Sequence, residues 1–161
     1  MAISNTDLQK LLGNEGLTYF IHPQTSALLF NFTGMFARHQ AVVSLQSDGT
    51  FLQFRSLGYQ RCPPSHPHLE AVLKVLGHVN YLRKSIKLGW DPADGEIVGY
   101  VDHAVEDGGV TQQQFHQLLW VFLVVLDLSS KRLTETLETG HDPGDPDPAQ
   151  LTGGGGGPDQ L

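Results

Sequence analysis

The run Trp90 to Ile97, WDPADGEI, gathers Asp91, Asp94 and Glu96 around a proline and a glycine. An EF-hand loop needs oxygen ligands at its first, third and fifth positions, glycine at the sixth and an acid at the twelfth. Taking Gly95 as the sixth puts Trp90 first and Val101 twelfth, so the register fails at both ends. The same residues suit a hairpin: Pro92 fixes φ, Asp94 bonds nearby N–H groups, and Gly95 takes positive φ. The expectation is a turn with acidic flanks.

Cys62, His66 and His68 form a C-x3-H-x-H group that could hold zinc. That spacing fits no common zinc module and shows no fourth ligand, and Pro63, Pro64 and Pro67 explain the segment as a stiff connector. No metal, cofactor or catalytic residue is therefore assigned. No G-x-S-x-G elbow is present, and the run of five glycines leads to Pro158 rather than to the Lys-Ser/Thr of a phosphate loop. His22, His39, His78, His103 and His116 lie singly along the chain and read as satisfied or surface residues.

Charge narrows the partners. The 161 residues hold 17 acids and 10 bases, a net of −7, but the first 139 hold 13 acids against the same 10 bases. Arg83, Lys84 and Lys87 are the densest basic group and read as the solvated end of a helix, too few for nucleic-acid binding. A single cysteine and an N-terminus without a basic-then-apolar leader point to the cytoplasm.

The elements that would position these residues follow from periodicity. Thr6 to Gln9 has capping-box spacing, and Leu8, Leu11 and Leu12 share one side of a short helix ending near Gly13. Four β-type runs follow, LTYFIH, ALLFNFT, QAVVSLQ and TFLQFRSL, with turn chemistry at Pro23-Gln24 and at Ser47-Asp48-Gly49. A helix is expected over about residues 67–84 on Leu69, Val72, Leu73, Leu76 and Val79, and then strands flank the WDPADGEI turn. Thr111 and Gln114 cap the last helix, whose core face is Phe115, Leu118, Leu119, Phe122, Leu123 and Leu126.

The order α-β-β-β-β-α-β-β-α implies an α+β fold, with helices packed on an antiparallel sheet. Residues 1–139 are read as one domain. Residues 140–161, with seven glycines and four prolines, are read as a disordered tail whose Asp142, Asp145 and Asp147 add soluble charge.

The last helix carries the best functional hint. LLWVFLVVL, Leu118 to Leu126, is apolar without a break, so Trp120, Val121, Val124 and Val125 lie off the sheet-facing stripe. Nine residues fall far short of the roughly 20 that span a bilayer. Those four side chains are the expected partner or dimer interface.

The helix ending in Val79-Asn80, the D-x-x-D-G-E hairpin, the outward strand and the capped helix led by Phe115 together resemble the YbjN family, which belongs with the type III secretion chaperone-like fold. The resemblance implies a compact domain, commonly a homodimer, that acts as a chaperone or regulator by binding protein. It brings no catalytic residues. The expected function is a non-enzymatic protein-binding adaptor; the alternative is a small-molecule or metal-binding module with an unrecognised site.

Overall fold

The computed structural model describes residues 3–105 and 109–146. Its elements are α1 (Asn5–Asn14), β1 (Tyr19–Ile21), β2 (Leu28–Thr33), β3 (Arg38–Gln46), β4 (Phe51–Leu57), β5 (Gln60–Arg61), α2 (Leu69–Leu82), β6 (Ile86–Trp90), β7 (Glu96–Ala104) and α3 (Gln112–Thr139). The fold is the α+β arrangement expected, with every strand pair antiparallel. One strand was not anticipated. Gly58, at φ 55°, breaks the chain after β4, and the two-residue β5 resumes pairing with β7 before the prolines end it.

The sheet runs β1-β2-β3-β4-β7, with β5 and β6 also paired to β7. Alternation along the strands sends Leu28, Phe30, Ala41, Val43, Leu52, Phe54, Ile97, Val101, Ile86 and Leu88 to one buried face. Across them lie Phe115, Leu119, Phe122 and Leu126 of α3 and Val72, Val75, Leu76 and Val79 of α2. Phe54 meets Phe115 and Phe122 at ring separations of 5.3 and 5.7 Å. Helix α3 passes so near β7 that a Cβ on Gly99 would collide with Leu126, and Ser56 Oγ accepts the Gly99 N–H at 2.8 Å.

The helix ends correct some of the sequence expectations. The first cap is Ser4, not Thr6: its hydroxyl accepts from Asp7 N, and the Asp7 carboxylate reaches back to Ser4. Serine followed three residues later by aspartate makes the same reciprocal bond as the textual T-x-x-Q, two residues earlier. In α2, Leu73 points outward and Val75 inward, because the buried stripe follows Val72, Val75, Leu76 and Val79. The Thr111–Gln114 box on α3 is present as expected.

WDPADGEI is a hairpin. Gly95 sits at φ 80°, its N–H donates to Asp91 O at 2.8 Å, and the Asp91 and Asp94 side chains accept from Ala93 and Glu96 N–H. The Glu96 N–H, followed by the neighbouring Arg61, holds the Asp94 carboxyl below the usual range. A Cβ on Gly95 would strike the Cys62 carbonyl, which also accepts from Trp90 Nε1 at 2.8 Å.

Candidate functional site

Among the described residues, the apolar run of α3 is covered on one side only. Trp120 is 53% exposed and Val124 41% exposed, and across from them the end of α2 leaves Leu82 at 48%. Val121 is half-buried between them. Val125, the fourth expected interface residue, is 6% exposed and packs largely into the core beneath the others. Val125 follows Phe122 by three residues, and the way the sheet sits under α3 keeps it inward.

Leu82, Trp120, Val121, Val124 and Val125 line a shallow depression of about 460 Å³, edged by Arg83 and Lys84. A second hollow of about 550 Å³ continues from Trp120 and Val121 toward His103 and His116. Among the described residues no acid lines either one. The surface is therefore an apolar strip with a basic edge, built from two helices whose other faces hold the core.

The basic group Arg83, Lys84 and Lys87 does not form one helix end. Helix α2 stops at Leu82, and Lys87 lies in β6, 3.8 Å from Asp102 and over the Tyr100 ring.

Two polar clusters that sequence reasoning missed flank α3. In the first, Asp127 is buried, and its carboxylate accepts from Met35 N at 2.6 Å, Phe36 N at 3.2 Å and Ala37 N at 3.1 Å. His39 Nε2 lies 3.0 Å from the same carboxylate, and the His39 ring stacks on Phe32. Tyr59 donates to Leu126 O at 2.7 Å; burial and then the Asp127 charge push its hydroxyl far above its ordinary range. Histidine beside aspartate resembles part of a hydrolytic triad, but the Asp127 carboxylate is saturated by the β2–β3 turn. Its chemistry is that of a clamp.

In the second cluster Arg132, 2% exposed, donates to both Asp142 oxygens at 2.7 Å, to Asp145 at 3.1 Å and to His78 Nδ1 at 2.9 Å. Arg83 takes the other Asp145 oxygen at 2.7 Å. The Arg132 guanidinium holds the Asp142 carboxyl below its usual range. The segment from Gly140 to Pro146 thus lies against α2 and α3, and Asp142 and Asp145 are ligands rather than free solubilising charge. Gly140 at φ 73° and Gly144 at φ 79° turn the chain, with Gly144 N–H bonded to Asp142 at 2.9 Å. Asp147, the five-glycine run and the rest of the expected tail, 147–161, lie outside the described residues.

The remaining candidates fall apart in space or into structure. The His66 and His68 rings meet edge-on at 5.6 Å, while burial raises the Cys62 thiol. Among the described residues no three His, Cys, Asp or Glu side chains could share a metal ion, and no helix is long and apolar enough to cross a membrane. His22 accepts from Gln24 and Thr25 N–H in the β1–β2 turn, and His116 pairs with Glu15 at 2.7 Å.

The family described as "YbjN: Putative bacterial sensory transduction regulator" matches residues 5–135, well over half of the chain. No curated protein matches it. Among solved structures, the chain is similar to the crystal structure of "YbjN, a putative transcription regulator from E. coli". That match has 17% identity and a TM-score of 0.58, and covers 81% of this chain and 94% of the other. At that identity the likeness is one of fold.

Proposed function

The chain belongs to the YbjN family, and from that premise we propose that it is a non-enzymatic regulatory adaptor that works by binding another protein across the strip formed by α2 and α3. The observation that carries this reading is the contiguous exposure of Leu82, Trp120 and Val124 around half-buried Val121. Contiguous apolar surface of this kind is characteristic of interaction sites, and Trp is among the residues that anchor them. The family's regulatory description supports the adaptor role.

The basic edge, Lys84 beside an Arg83 that already holds Asp145, favours a partner segment that is apolar with acidic flanks. Apolar anchors would give the contact its affinity, and the charges would set its orientation and rate.

The test compares wild type with Trp120→Asp in affinity purification from native extract, alongside size-exclusion chromatography with light scattering. The variant should stay folded and lose the partner captured by wild type. A folded variant that retains the same partner and the same mass removes this face from consideration. A wild-type dimer that Trp120→Asp converts to monomer keeps the face as the interface, and replaces the acidic-flanked partner by a second copy of the chain.

A further inference from the structure

The Arg132 cluster has two unlike sides. On one side the receptor groups are fixed by helices: Arg132 projects from α3, His78 lies on α2, and Arg83 follows α2 by one residue. On the other, the ligands sit on a short strap, Gly140–Pro146, with the Asp142 and Asp145 side chains 38% and 36% exposed. Beyond its own turns, the Gly140 cap and the His141 bonds to Thr139 at the end of α3, the strap's described hydrogen bonds to the fold all run through those two aspartates. Beside the guanidinium a hollow of about 280 Å³ remains, lined by Pro143, Gly144 and Pro146 with Lys131 and Glu135.

We propose that Arg132, His78 and Arg83 form a receptor for an acidic peptide segment with two aspartates three residues apart, which the chain's own Asp142 and Asp145 fill as a displaceable latch. The paired bonds from Arg132 to both Asp142 oxygens are the planar, charge-assisted geometry that favours arginine over lysine in carboxylate recognition. Asp145 bridges Arg132 to Arg83, so the second carboxylate reads the spacing. A segment without the second aspartate leaves Arg83 unpaired.

A ligand tethered by a few residues acts at an effective concentration on the order of millimolar. A free acidic segment therefore competes poorly, whereas one delivered by docking next door competes on equal terms. Arg83 also edges the depression of Leu82 and Trp120, so a partner seated there meets the latch directly. The inference deepens the adaptor reading, and its test leaves Trp120 untouched so that either can fail alone.

The probe is a labelled synthetic peptide of residues 139–148, TGHDPGDPDP, titrated into the full-length protein and followed by fluorescence anisotropy. Asp142→Asn/Asp145→Asn empties the receptor and should bind the peptide about ten-fold or more tighter than wild type does, with affinity falling as salt rises. Adding Arg132→Gln should abolish that binding, and a peptide with asparagine at positions 142 and 145 should not bind. Should the double variant fail to fold, Asp145→Asn alone, which keeps the Arg132–Asp142 pair, should show an intermediate gain. A folded variant that binds no better than wild type overturns the latch, as does equal binding of the asparagine peptide.

Discussion

Gly34 lies so close to Asp127 that a single added methyl would overlap the carboxylate. The contact exists because the backbone of the β2–β3 turn curls its N–H groups around that side chain, from Met35 to Ala37. Gly34→Ala should therefore destabilise the protein by about 1–3 kcal/mol through overpacking. Asp127→Ala, which strips several part-buried N–H groups of their acceptor, should cost about 2–4 kcal/mol. The two losses should not add, since removing the carboxylate makes room for the methyl. Urea midpoints for the four-variant cycle measure this; strict additivity would refute the close approach.

Gly95→Val should cost about 2 kcal/mol or more, because a branched side chain at φ 80° is strained and its Cβ meets the Cys62 carbonyl. Asp91→Asn should stay within about 0.5 kcal/mol of wild type, since the amide oxygen can still accept from Ala93 N–H. Denaturation curves for both variants check the pair, and a large loss from Asp91→Asn would restore a role for the carboxylate's charge.

Neighbouring valines on α3 should behave differently. Val125→Ala should destabilise by about 1–3 kcal/mol and Val124→Ala by about 0.5 kcal/mol or less, following their 6% and 41% exposure. Equal costs would mean that the strip is not where the helix period places it.

The latch should open in acid. Pairing with Arg132 lowers the Asp142 carboxyl below its ordinary 3.8, so the stabilisation is fully present above about pH 4 and is lost as pH falls through the lowered value. The stability gap between wild type and Asp142→Asn should be wide at pH 7 and should close below about pH 4. Chemical denaturation across that range reads it, and a gap that persists at the acidic end contradicts the pairing.

Local signals made most of the fold legible. Strand alternation, the Thr111–Gln114 cap and the D-x-x-D-G-E turn each announce themselves within a few residues, and those elements stand where they were expected. The site was only half legible. Trp120 and Val124 followed from the helix period, but whether Val125 faces core or solvent turns on how the sheet sits under the helix. Asp127, Arg132 and His78 were unreadable because their partners are far along the chain or, like Asp142, lie in a stretch whose composition looked disordered. Gly140, Pro143 and Gly144 are turn chemistry there, spent on bringing two carboxylates back to one guanidinium.

Cys62 is the chain's sole thiol, buried beneath the β6–β7 hairpin, with its carbonyl bonded to the Trp90 indole. A thiol reagent can reach it only while that corner is open, and its rate of modification under native conditions counts those openings. The indole would change its emission in the same events. The molecule therefore carries two intrinsic reporters of a single local unfolding unit, and their agreement or divergence in time would show whether the hairpin and the proline connector breathe together.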